Sequence, residues 1–285
     1  MSTTANSPGQ LQPVSRLVYR HSRVVRVTHW INALCLALLL MSGLQIFNAH
    51  PSLNFGNQTD FKTPFLSLAS KDDGKGGLAG TIVLFGRSFP TTGLLGASRG
   101  STGAMEDRGF PSWMTIPSYQ DLATGRRWHL FFAWVLVLNG TIYLLNLFAG
   151  RHLRDFIPTL GELRAIPKSI IDHARLHFPR GNEALRYNVL QKLAYLSVIV
   201  ALPVMVLAGL AMSPGMDAIV PWLVGLFGGR QSARSVHFLI AFYLVGFFIV
   251  HVAMVLVSGF FNNMRSIITG NSKIEGDADG PATRT

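Results

Sequence analysis

Four stretches of this chain carry no Asp, Glu, Lys or Arg: Val27–Thr59, Trp128–Gly150, Leu193–Met216 and Ser235–Met264. Each holds the roughly 20 mainly apolar residues that a helix needs to cross hydrocarbon. Inside a bilayer the backbone must satisfy its own hydrogen bonds, so isolated runs of this kind fold as helices. The expected fold is all-α, an integral membrane four-helix bundle with helices near 24–48, 128–150, 189–213 and 235–262. At 49% hydrophobic and 14% charged residues, the composition excludes an ordinary soluble domain. A fifth apolar patch, "AIVPWLVGLFGG", is too short to span and is interrupted by Pro221, so it reads as interfacial or re-entrant.

Lys and Arg near the helix ends set the orientation. Arg16, Arg20, Arg23 and Arg26 precede helix 1, and Arg151, Arg154, Arg164, Lys168, Arg175, Arg180 and Arg186 separate helices 2 and 3. The short loop between helices 3 and 4 offers only Arg230 and Arg234. This predicts a membrane protein with a cytoplasmic N-terminal tail (1–21), an inner loop (151–188) and a cytoplasmic C-terminal tail (266–285) around a membrane domain over 22–265. The outer loop, 49–127, carries eight basic residues, but long translocated segments weigh little in the charge rule. The polar ends, Met1–Ser15 and Gly270–Thr285, are expected to lack structure. The formal charge of +11 fits cytoplasmic loops against anionic lipid; no basic stripe with interleaved aromatics points to nucleic acid. The single Cys35 lies in helix 1, and the C-x-x-C-H pattern of covalent haem attachment is absent. No A-x-A-like cleavage site follows helix 1, so it reads as an uncleaved span.

Ionisable residues inside a membrane are costly and mark functional sites. Of nine histidines, His29, His129, His237 and His251 fall in or at the spans. His237 and His251 are fourteen residues apart, nearly four helical turns, so they share one face of helix 4 about 21 Å apart along its axis. His129, just past Arg127, enters helix 2 from the same side as His237, just past Arg234; His29, just past Arg26, begins helix 1 on the inner side, toward which His251 lies. One pair near each surface is what two stacked haems with bis-imidazole ligation require, and filling both axial positions favours electron transfer over oxygen chemistry. For the inner pair to meet, helix 4 must tilt or run past the inner surface, since His251 is fourteen residues short of Arg265. Gly43 and Gly140 are expected to leave room for a macrocycle. A transporter or proton channel could use the same histidines without a cofactor, and a transmembrane ferric or quinone reductase could use them without a partner.

These residues resemble the bacterial cytochrome b(561) and Ni-Fe-hydrogenase b-type cytochrome family, the two-haem membrane subunits that also anchor formate dehydrogenase and periplasmic molybdoenzymes. The resemblance rests on "RVTHW" with "SG" fourteen residues on, "RRWH", "RYNVLQK" and the fourteen-spaced histidines of helix 4, and covers Arg20 to Arg265. It implies a subunit passing electrons between membrane quinone and a periplasmic oxidoreductase. By carry-over, His129 and His237 hold the outer haem b and His29 and His251 the inner one. A motif similar to "YNVLQK" lines the quinone site of the formate dehydrogenase anchor, which makes Asn188 and Gln191 candidates there; a polar helix start explains them equally well. Arg23, Arg26, Arg127 and Arg234 are placed to meet haem propionates. The long outer loop departs from the hydrogenase anchors, which favours a molybdopterin oxidoreductase, docked through 49–127, over a Ni-Fe hydrogenase as partner.

Overall fold

The computed structural model describes residues 14–150, 156–175 and 188–276. Of the sequence features named above, residues 1–13 and 277–285 of the tails, Arg151, Arg154, Arg180, Arg186 and the Arg-Tyr that opens "RYNVLQK" lie outside the described residues. Among the described residues, four helices are long and apolar enough to cross a membrane: α1 (Arg23–Asn48), α2 (Leu122–Ala149), α5 (Val189–Ala211) and α8 (Arg230–Val257). Their flanks expose large apolar side chains such as Trp134, Leu138, Phe248 and Ile249, as lipid-facing surfaces do. Short helices fill the gaps: α3 (Leu160–Arg164) and α4 (Ile166–Ala174) before α5, and α6 (Pro214–Ile219) and α7 (Pro221–Leu226) after it. The last two occupy the patch expected to be interfacial or re-entrant.

The described chain divides into two compact units. The larger comprises Val27–Leu147 and Ser197–Phe248. In it Cys35 and Leu39 of α1 pack with Leu136 of α2, and Ala211, Leu223 and Ala233 form a second cluster at the α5–α8 turn.

The all-α expectation needs correction here, because the segment between α1 and α2 contains strands. An antiparallel sheet runs β2 (Ser52–Leu53), β3 (Leu66–Asp72), β4 (Leu78–Leu84), β5 (Arg87–Pro90), and a ribbon pairs β6 (Ala97–Arg99) with β7 (Met105–Asp107). Between β4 and β5 the two turn residues, Phe85 and Gly86, both have positive φ (47° and 78°), the hairpin turn whose twist matches its strands. The sheet packs its apolar face on the C-terminal end of α1, where Leu44 and Phe47 join Leu53, Leu68 and Phe110 in one buried cluster. Arg108, 1% exposed, holds the segment together from inside: it donates to the carbonyls of Phe110 (2.8 Å) and Ser118 (3.1 Å) and to Thr115 Oγ1 (3.1 Å), and pairs with Glu106 (3.3 Å).

The same segment caps α8. The Gly56 carbonyl accepts from the backbone N–H groups of Gln231 (2.9 Å) and Ser232 (3.3 Å), two of the donors a helix start leaves without intrahelical partners. Gly229, at φ +116°, lies against this contact; a Cβ there would fall 2.4 Å from the Gly56 backbone, so only glycine fits. Ser235 Oγ donates to the Asn54 carbonyl at 2.6 Å. The outer end of α8 is thus fixed from two sides.

The smaller unit comprises the chain up to Arg26, Phe148–Leu196 and Ile249–Thr285. Part of each tail is structured after all: β1 (Val14–Tyr19) pairs antiparallel with β8 (Asn271–Gly276). Arg26 donates to the Ile268 carbonyl beside this ribbon. Helix 4 does not run to residue 262. It ends at Val257, breaks at Gly259 (φ +113°), and continues as a separate helix α9 (Phe260–Thr269). Arg265 therefore belongs to α9, beyond the break.

Candidate functional site

Helices α2 and α8 both begin earlier than their apolar runs, at Leu122 and Arg230, so His129 and His237 sit two turns inside regular helix. Their rings face each other with centroids 6.1 Å apart and planes at 60°. A metal–imidazole bond of about 2 Å on each side, plus about 1 Å from each nitrogen to its ring centre, puts trans ligands about 6 Å apart. The observed spacing fits one metal between two imidazoles.

The far edge of each ring is held in the same way. His129 Nδ1 lies 3.1 Å from the Leu39 carbonyl of α1, and His237 Nδ1 lies 2.8 Å from the Met205 carbonyl of α5. A carbonyl only accepts, so Nδ1 carries the proton in both rings and Nε2 keeps its lone pair. This is the tautomer a ligating imidazole needs. Ser42 Oγ, which donates to the Leu38 carbonyl at 2.7 Å, is a second neighbour of His129 Nδ1 at 3.1 Å. Four residues after each accepting carbonyl stands a glycine in contact with the same ring: Gly43 at His129 and Gly209 at His237, where an added Cβ would meet Cε1 at 3.3 Å in both cases. Gly43 therefore seats a histidine ring, and at Gly140 the space beyond the Cα is open.

Arg234 lies one turn before His237, its guanidinium 5.4 Å from the Phe47 ring and donating to the His50 carbonyl. Burial and the Arg234 charge push the His50 imidazole below its usual range. Arg127 is exposed, two residues before His129. Arg23 is exposed at the start of α1, while Arg26 is engaged with the Ile268 carbonyl.

His29 and His251 fall in different units, the first in Val27–Leu147 and the second in Ile249–Thr285. Both are partly buried, and His29 meets Trp30 edge-on with ring centroids 5.4 Å apart. One turn from His29, the buried Asn139 of α2 donates to the Thr28 carbonyl (2.9 Å) and Asn32 Oδ1 (2.7 Å), a polar link between α1 and α2 that the sequence reading missed.

Asn188 and Gln191 form a reciprocal cap at the start of α5: Asn188 Oδ1 accepts from the Gln191 N–H (2.9 Å) and Gln191 Oε1 from the Asn188 N–H (3.2 Å). Next to them Lys192 Nζ contacts both carboxylate oxygens of Glu162, at 2.8 and 3.0 Å. The hydrogen bond from Lys192, with one from the Thr159 N–H, holds the Glu162 carboxyl below its usual range. Both side-chain oxygens of the Asn188–Gln191 pair thus serve the helix start.

A family model described as prokaryotic cytochrome b561 matches residues 20–270, a range that contains all four long helices and all four intramembrane histidines. A protein of Azospira oryzae named as a protein-methionine-sulfoxide reductase subunit, YedZ1, is 30% identical over 244 residues, covering 85% of this chain and 93% of that protein. Family descriptions of this kind imply haem b, and the His129–His237 pair has the spacing and tautomers to take it. With the match running through every span, the chain belongs to the prokaryotic cytochrome b561 family of membrane haem proteins.

Proposed function

We propose that this protein is a di-haem membrane subunit that passes electrons between the quinone pool of a bacterial inner membrane and an oxidoreductase on the outer side. The reading rests above all on the two imidazoles 6.1 Å apart with Nδ1 protons fixed on backbone carbonyls. His129 and His237 hold the outer haem b; His29 and His251 hold the inner one. Bound haem supplies reversible one-electron storage, and the chain supplies ligation, spacing and a dry setting. Helix α8 carries a ligand for each haem, fourteen residues apart, which sets the two at levels a short electron transfer can bridge. Arg234 and Arg127 meet outer propionates, and Arg23 and Arg26 inner ones. The β1–β8 pairing supports two termini on one side, as four spans require, and the basic residues put that side in the cytoplasm.

The catalytic partner is an outer oxidoreductase of molybdopterin type, docked on the 49–127 segment. The Azospira relative is named as a subunit of a methionine-sulfoxide reductase. By that likeness, electrons here run outward from quinol to a sulfoxide-reducing partner.

Quinol binds at the start of α5, where the amides of Asn188 and Gln191 donate to a quinone oxygen. Loss of one such hydrogen bond costs about 1–3 kcal/mol, roughly 5- to 150-fold in affinity. Asn188→Ala and Gln191→Ala should slow quinol-driven haem reduction by about that factor at matched haem content, with dithionite reduction unchanged. If both quinol-driven rates stay at the unsubstituted level, the pair serves only to cap α5 and quinone binds elsewhere.

A further inference from the structure

A helix side chain leans toward the N-terminus and covers the turn before it, so the residue at i+4 normally shields the carbonyl of residue i from lateral approach. Both outer histidines donate to a carbonyl of a neighbouring helix, and in both cases the residue at i+4 is glycine: Leu39 with Gly43, and Met205 with Gly209. The glycines also touch the Cε1–Nδ1 edge of the rings, at 3.3 Å from an ideal Cβ. Two unrelated helices thus present one device, a bared carbonyl beside a glycine floor, to two rings that face each other.

Resting on the haem-ligation reading above, we propose that Gly43 and Gly209 are positioning residues that bare the Leu39 and Met205 carbonyls, fix the Nδ1–H of His129 and His237, and so lower the midpoint potential of the outer haem. A ligand whose Nδ1–H is held by a carbonyl gives more electron density through Nε2, which favours the ferric state. A methyl group at 3.3 Å pushes the ring off its carbonyl and weakens that hold.

Gly246 of α8 provides an internal control, since a Cβ there meets nothing within 4 Å. The experiment is a spectroscopic redox titration of the purified, haem-loaded full-length protein and three variants. Gly43→Ala and Gly209→Ala should each shift the outer haem toward the ferrous form, up to about tenfold at fixed ambient potential, which is 59 mV for a one-electron couple. The inner haem should keep its potential, and Gly246→Ala should titrate like the unsubstituted protein. Outer potentials unchanged in Gly43→Ala and Gly209→Ala, with haem content intact, would overturn the proposal while leaving ligation standing. No haem in the unsubstituted protein would instead overturn the reading beneath it. Should alanine empty the outer site, His237→Gly protein reloaded with imidazole or with 1-methylimidazole decides, because only imidazole has an N–H for the Met205 carbonyl. A higher outer potential with 1-methylimidazole supports the carbonyl hold; equal potentials, or rescue by neither, contradict it.

Discussion

Purified His129→Ala protein should carry one haem b where the unsubstituted protein carries two, and His29→Ala should lose the other one. The ring centroids of His129 and His237 lie 6.1 Å apart, a gap that one metal would span, and among the described residues the neighbouring polar groups, Ser42 and two backbone carbonyls, serve the Nδ1 edges. Removing a supporting partner of a metal ligand already costs about 10- to 100-fold in metal affinity, and removing the ligand itself costs more. His129→Ala should therefore halve the pyridine haemochrome yield per chain and delete one component of the redox titration. His237→Ala should give the same remaining spectrum as His129→Ala, because both empty the same site. If the two variants differed in which component survived, or either kept both haems spectrally intact, the pairing of His129 with His237 as trans ligands would be wrong.

The second large effect concerns the outer segment. Arg108→Ala withdraws the buried donor to the Phe110 and Ser118 carbonyls and to Thr115, strands part of the Glu106 charge and leaves a cavity. Breaking a buried charged network of this kind costs about 3–5 kcal/mol. At roughly 1.4 kcal/mol per tenfold, local opening of the segment should rise more than about 100-fold. Limited proteolysis of the detergent-purified protein reads that population directly when opening is fast. Cleavage between residues 49 and 121 should accelerate accordingly in Arg108→Ala, while Arg99→Ala, on an exposed guanidinium held by one backbone carbonyl at 3.1 Å, stays near the unsubstituted rate. Equal rates for the two variants would mean that Arg108 does not hold the fold of the segment.

How much of this was readable in the sequence follows from what each signal is made of. The four spans were legible because hydrocarbon thickness demands a long apolar run and little else in a protein does. Their ends were less so. Apolarity marks where the lipid is, and α2 and α8 begin before their apolar runs, in "LATGRR" and "RQSAR", with Arg230 paired to Asp217 at 3.0 Å. The break at Gly259 was hidden for the opposite reason, since the charge-free run continues through "LVSGFFNNM" with no change in composition. In the outer segment the strands of two to seven residues are too short for a strong alternation, and the β4–β5 turn is Phe-Gly where Asn-Gly would have announced a hairpin. The outer histidine pair was legible because each intramembrane imidazole stands out against its surroundings. Gly209 was not, because a glycine in an apolar helix is ordinary and nothing local says that His237 will rest on it.

The central claim is that the spans hold two haems through histidine pairs, and it is tested most directly by the haem content of the purified, unsubstituted protein. Pyridine haemochrome analysis should give two haem b per chain, and the dithionite-reduced minus oxidised spectrum should show the sharp α band of low-spin, bis-histidine iron. A protein that carries no haem, or whose spectrum lacks the low-spin α band, would contradict the account and leave the intramembrane histidines to transport or proton transfer.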